Sequence, residues 1–407
     1  MRMKSLSFAA ALSLSLSSLP AHAVDFHYWD YDGGLSQNAA ARKSYQVAID
    51  YWSSVLKDDV TVNLLITGER FYNDHEVTAA VTQVDQSTYA LTEWVYQALA
   101  ADSTSALDAQ AVAKLSPLTP SEVYPDYNGV TVLANDFNDA GGYADETIRV
   151  DADGSANNVL TLVNRATAKA MNLESASGQI VDETRVDVVI YYSLDKAFDY
   201  DPTDGIDEGA YDFTGLAIRD IGIALGLDSY NSAYDYNTGP TTTADNSVET
   251  AFTAKTIDLF RYSEAGTLDW STSETDKYFS IDGGETALFG NASYRKGENN
   301  GDKALATFWK DDANGEALGI MDADPGTGNV MAVSALDLAA VDVIGWDLSF
   351  DVSANSGYRL TTAQIYAAMT AVPEPATWLQ MLLGFGLVGG ATRRRLANGA
   401  IKQGIAV

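Results

Sequence analysis

Cysteine is absent from the 407 residues, and histidine occurs only three times. The first absence excludes disulfide staples and thiolate chemistry, even in an oxidising compartment. So few imidazoles leave no material for a serine-histidine-acid hydrolase, and no phosphate-cradling glycine motif is present. Basic residues are scarce as well: 25 Lys and Arg stand against 56 Asp and Glu, a net charge of −31. A body so acidic repels phosphate backbones, which excludes nucleic acid as a partner. The charge instead keeps a chain soluble and attracts divalent cations weakly.

Both ends differ in layout from the chain between them. Arg2 and Lys4 precede an uncharged run from Ser5 to Pro20, which ends in Ala21-His22-Ala23. A basic head, an apolar middle and a small-x-small end predict a signal peptide over residues 1–23, cut after Ala23 by signal peptidase. At the other end, Val372-Pro373-Glu374-Pro375 leads into an uncharged stretch from Ala376 to Thr392 and then Arg393-Arg394-Arg395. About 17 residues at about 1.5 Å each barely span a bilayer core of about 30 Å, with the arginines held on the cytoplasmic side. This layout resembles the PEP-CTERM sorting signal of exported bacterial proteins. The resemblance implies transient anchoring through a C-terminal membrane helix, cleavage by an exosortase-type membrane protease, and delivery to the cell surface or extracellular matrix. Such signals usually stop soon after the arginines, whereas a tail of residues 396–407 follows here.

Residues 24–371 carry 19 basic and 55 acidic side chains, about −36, and are long enough for one large domain or two lobes with a real core. Ala41, Tyr45, Ala48, Trp52 and Val55 recur at helical spacing and predict a helix over 39–57. Val60, Val62, Leu64 and Ile66 alternate as a strand with one face in the core. Helices are predicted over 87–101 and 158–173, and a strand over 185–193. The acidic loop from Asp199 to Asp207 lacks the spacing of an EF-hand and reads as solvated rather than as a calcium site, and Asp151-Ala152-Asp153-Gly154 is equally weak. After Gly215 a nearly all-apolar, buried helix runs to Leu225, with Gly226 placed to stop it. Chain rich in loops follows, then a short helix with a capping-box spacing of Ser334 and Asp337. The fold class is α+β.

The buried helix carries chemistry in outline. Leu216-Ala217-Ile218-Arg219-Asp220-Ile221-Gly222-Ile223-Ala224-Leu225-Gly226-Leu227 has the frame of the metzincin zinc helix. There two histidines one turn apart bind zinc, and the glutamate after the first acts as general base on the metal-bound water. Arg219 stands at the first histidine, Asp220 at the glutamate and Ile223 at the second histidine. A guanidinium about 4 Å from a dication is repelled by about 8 kcal/mol at an effective dielectric of about 20. Isoleucine has no lone pair to offer. Arg219 is expected instead as a buried cation paired with Asp220 or another acid.

Further segments extend the likeness: Thr256 to Ser263, Tyr278 to Gly284, Phe308 to Asp311, Gly319-Ile320-Met321-Asp322, and Leu336 to Asp347 ending in Ile-Gly-Trp-Asp. In this order they resemble a family of secreted bacterial metzincin-like metalloproteases. The resemblance implies a two-lobed body over 24–350, with a mixed sheet, a central buried helix and a loop-rich C-terminal lobe. A linker with a short helix is expected over 351–371, before the sorting signal at 372–395. It also implies that Met321 lies in a methionine turn beneath the metal, and that the place of Phe308 holds a histidine in relatives. Ser229 falls at a third ligand position. With each histidine replaced, the expectation is an exported pseudoenzyme with no zinc and no catalytic residue. The alternative is a metal-dependent hydrolase in which Asp220, Asp228 and Asp235 hold a hard cation such as calcium or manganese.

Overall fold

The computed structural model describes residues 24–371 apart from 32–33, 70, 73–74, 77–79, 84–86, 138–142, 174–184, 230–253, 272, 274, 295–308 and 323–324. The signal peptide expected over 1–23, with Ala23, and the sorting signal from Val372 to Arg395 lie outside the described residues. The principal elements in chain order are β1 (Asp25–Asp30), α1 (Ala39–Val55), β2 (Thr61–Glu69), β3 (Ala80–Gln83), β4 (Ser87–Leu91), α2 (Thr92–Asp102) and α3 (Ala106–Ala113). They continue with β5 (Leu160–Asn164), α4 (Arg165–Ala170), β6 (Val188–Ser193), α5 (Phe213–Ala224), β7 (Arg261–Glu264) and β8 (Tyr278–Phe279). The last are β9 (Ala332–Ser334), α6 (Ala335–Val343), β10 (Arg359–Thr361) and α7 (Thr362–Thr370). The fold is mixed α+β, as the sequence predicts.

A four-stranded sheet in the order β1-β2-β6-β3 forms its base. β1 and β6 flank β2 in parallel, and β3 closes the far edge antiparallel to β6. The β1-α1-β2 crossover explains the parallel pair, because strands running the same way need a connection that returns along the sheet. Asn38 caps α1 by accepting the amides of Ala40 and Ala41 at 3.1 Å. The predicted stripe of Ala41, Tyr45, Ala48, Trp52 and Val55 is buried. Each large side chain of that kind contributes about 1.5–3 kcal/mol on leaving water.

β2 departs from the one-sided strand that its alternation predicts. Asn63 is 1% exposed, so both faces are covered, as expected of a strand with a neighbour on each side. Its polar atoms are satisfied: the Asn63 amide donates to Asp187 Oδ2 at 2.8 Å and Nδ2 donates to the Arg185 carbonyl at 3.1 Å. Asp187 in turn holds Lys169 at 2.8 Å and Arg165 at 3.2 Å, which fixes α4 beneath the sheet.

The helices predicted over 87–101 and 158–173 are both shortened, and by one cause. Ser87–Leu91 and Leu160–Asn164 pair with each other as antiparallel β4 and β5, Leu160 opposite Leu91 and Asn164 opposite Ser87. Thr88, Thr161 and Val163 are β-branched and suit a pleated surface. Helix resumes after each strand, as α2 and α4.

The C-terminal part is irregular chain organised around α6. Its capping box forms as predicted, with Ser334 and Asp337 as reciprocal partners. Asp337 does more than cap, since it also accepts the Ile320 amide at 2.9 Å, the Met321 amide at 3.3 Å and Trp309 Nε1 at 2.8 Å. The segment expected as a linker does contain a helix, but β10 pairs with β9 and α7 buries Ile365 and Tyr366 against the body. Buried apolar side chains form one continuous core from α1 and β2 to α6, shared by the two halves expected from the sequence.

Candidate functional site

Helix α5 runs through the middle of this core, and every residue from Phe213 to Ala224 except Ile223 is buried. Asp212 caps its start, accepting the Gly215 amide at 2.8 Å, the Met331 amide at 3.1 Å and the Thr362 hydroxyl. Burial raises the Asp212 pKa, and these donors oppose the rise. Along the helix, Trp52 Nε1 donates to the Ile218 carbonyl at 3.0 Å, and the hydroxyls of Ser44 and Thr214 meet at 2.7 Å. At the end, Gly226 takes a φ of +106°, and the Leu227 amide returns to the Gly222 carbonyl at 3.0 Å. Trp346 Nε1 and Thr167 Oγ1 cover the Leu225 carbonyl at 2.7 and 2.9 Å. The stop predicted at Gly226 is therefore present with its full hydrogen bonding.

Arg219 lies inside this helix, 7% exposed, with Nε and Nη2 each 3.2 Å from Asp220 Oδ1. The expected pairing with the neighbouring acid is thus present. Asp220 Oδ2 is buried without a well-aligned hydrogen-bond partner, as are the hydroxyls of Tyr45, Tyr192 and Thr82. Burial pushes the Asp220 carboxyl above the usual carboxylate range, against the pull of Arg219 and the nearby Thr82 and Tyr192 hydroxyls. Burial first and the Asp220 charge second raise Tyr45 and Tyr192 well above the ordinary phenol. The rings themselves are packed, with Tyr192 4.8 Å from Phe213 and 6.4 Å from Tyr45 between centroids.

These residues do not fit zinc. Arg219 is committed to Asp220, Ile223 carries no donor atom, and the Asp220 oxygen left over faces phenols and a threonine in the interior. Ser229 Oγ donates to Asp258. Asp228 is paired with Lys255. Asp220 and Asp228 therefore each already hold a cationic side chain, while Asp235 and Phe308 lie outside the described residues. Among the described residues, no group of three or more His, Asp or Glu is arranged to hold a metal ion. Met321 is fully buried, and its Sδ lies 3.7 Å from where a Cβ on Gly222 would sit. The methionine thus lies against the helix turn between Arg219 and Ile223.

The structure also gathers residues that no local sequence pattern connects. Asp58, Asp102, Asp108, Asp342 and Asp347 surround the turn between α2 and α3. A signal was available, because Asp102 and Asp342 occupy the last turns of α2 and α6, where the helix dipole disfavours a carboxylate.

The PEP-CTERM protein-sorting motif matches residues 371–395. No curated protein and no solved structure matches the chain. Among the described residues, no helix is long and apolar enough to cross a membrane. The chain carries the PEP-CTERM motif, the mark of an exported protein that exosortase, a membrane protease, recognises and processes.

Proposed function

We propose that this chain is a surface or extracellular-matrix protein with a metalloprotease-like body that has no catalysis of its own. The observation that carries the reading is the Arg219–Asp220 pair inside α5, at 3.2 Å. A zinc helix needs two imidazoles one turn apart and an acid free to take a proton from water. Here the first position is a cation, the second is aliphatic, and the acid is closed off from solvent. Three retained features support descent from such a site rather than chance: the helix stop at Gly226, the buried contact of Met321 with Gly222, and the mixed sheet beside a buried helix.

On this reading residues 1–23 are removed by signal peptidase after Ala23 and residues 24–350 are the body, on which β10 and α7 of the 351–371 segment pack. That segment leads into the signal at 372–395, and residues 396–407 trail on the cytoplasmic side until processing. Val372, Pro373, Glu374 and Pro375 are the recognition segment, and Arg393, Arg394 and Arg395 hold the anchor helix in place.

The test is cleavage of casein and a mixed peptide library by the purified full chain, with zinc, calcium or manganese supplied in turn. No cleavage is expected with any ion. Cation-dependent cleavage that disappears in Asp220→Asn would sink this reading in favour of a carboxylate-based metallopeptidase.

A further inference from the structure

The end of α1, the turn joining α2 to α3 and the end of α6 meet at a junction of five aspartates. Asp58 follows α1, Asp102 ends α2, Asp108 sits in the first turn of α3, Asp342 in the last turn of α6, and Asp347 just beyond. Asp108 Oδ2 accepts the Thr104 and Ser105 amides at 3.0 and 2.9 Å. Asp342 Oδ2 accepts the Ser105 hydroxyl at 2.7 Å, and Asp347 accepts the Thr104 hydroxyl. The Asp347 amide then donates to Asp58 Oδ2 at 3.0 Å. Residues 104 and 105 are thus suspended between Asp108 of α3 and the acids at and just beyond the end of α6.

Two features separate this junction from a solvated acidic face. Asp58, Asp108 and Asp342 are buried, at 8, 7 and 3% exposure. Asp108 Oδ1 is buried with no hydrogen-bond partner, and the Asp108 charge bears on both Asp342 and Asp102. The charged groups facing the junction are Lys57 and Asp58 after α1, Asp102 from α2, Asp108 from α3, Asp342 from α6 and Asp347. Among the described residues, these five acids are opposed by Lys57, whose charge lowers Asp58 against its burial. Carboxylates so disposed cannot all ionise without mutual repulsion.

We propose that this aspartate junction is a proton-operated latch, which clamps the α2–α3 turn to the end of α6 while Asp58, Asp102, Asp108 and Asp342 hold protons and loosens as these four ionise together. Burial first, then the neighbouring acids, push Asp102 up to about 7. Burial and then Asp108 push Asp342 to about 7, while burial pushes Asp58 to about 6 and raises Asp108. Each folded value lies above the ordinary 3.8, so the folded state holds protons that the unfolded chain has released. The latch's contribution is complete below about pH 4 and is lost as pH rises through about 6 to 7. The described carboxylates do not converge as a metal-binding group, which favours protons over a cation as what relieves the repulsion.

Asp102 takes part in none of the hydrogen bonds above, so Asp102→Asn removes a charge and spares the contacts. Thermal melts of the full chain from about pH 5 to about pH 8.5 should show the wild-type Tm falling by several degrees. Asp102→Asn should melt higher than wild type at the alkaline end, with a shallower slope, and Asp342→Asn should act in the same direction if it folds. Amide exchange read on peptides covering residues 103–108, corrected for intrinsic rates, should lose at least about tenfold protection at the alkaline end in wild type and less in Asp102→Asn. An unchanged slope in Asp102→Asn, or pH-independent protection of that turn, overturns the latch. So does recovery of the acidic Tm at alkaline pH by millimolar calcium in wild type but not in Asp102→Asn, which would make the junction a cation site.

Discussion

Arg219 and Asp220 are adjacent in sequence and both buried, a placement that costs several kcal/mol per ion unless the charges meet. They do meet, and the pair explains how a cation survives in a helix made of Ile, Leu, Ala and Gly. Removing one partner leaves the other exposed to the full cost. Arg219→Leu is therefore expected to lose about 3–5 kcal/mol in urea unfolding. The double change Arg219→Leu with Asp220→Leu should recover most of that loss, because no unpaired charge remains. In Arg219→Leu the burial that already raises Asp220 is unopposed by its cation, so stability should fall further as pH rises through the folded pKa. A loss below about 1 kcal/mol in the single variant would mean that the pair is not desolvated as described.

At the scale of elements, α6 shows how one side chain can organise loop-rich chain. Asp337 caps its own helix and at the same time gathers Trp309, Ile320 and Met321. Asp337→Ala would orphan several buried donors at about 1–3 kcal/mol each, so a loss of at least about 3 kcal/mol is expected, with Asp337→Asn milder. Gly226→Ala tests the other helix. A Cβ there would lie 2.7 Å from Thr167 Oγ1 and 2.9 Å from Ile344 Cδ1, at a φ that disfavours any side chain. It should cost about 1–3 kcal/mol by the same unfolding measurement.

These elements also mark what the chain makes legible. α1, the capping box at Ser334 and the stop at Gly226 rest on local spacing and were readable directly. The β4–β5 ladder was not, because its two strands are separated by about seventy residues and each adjoins a helix whose periodicity runs on into it. The contact of Met321 with Gly222 was not readable from local spacing, because about a hundred residues separate the two. The aspartate junction depends on five residues spread from 58 to 347, which tertiary packing alone brings together.

At the scale of the whole molecule, the PEP-CTERM motif at 371–395 begins one residue after α7, which is itself packed on the body. Exosortase must then act close to folded protein. Replacing Pro373, Glu374 and Pro375 together with alanine should leave the arginine run attached, readable as an added C-terminal mass in the membrane fraction. Loss of that run despite the triple change would show that sorting does not depend on this segment.

Whether the body can hold zinc is decided by coordination chemistry at α5. The most direct measurement is the zinc content of the folded, tag-free body by elemental analysis after purification in zinc-containing buffer. If α5 is a former zinc helix as proposed, with Arg219 and Ile223 in the ligand places, the protein should retain far less than one equivalent. Tightly held, stoichiometric zinc that is lost on changing residues 219 to 223 would contradict it.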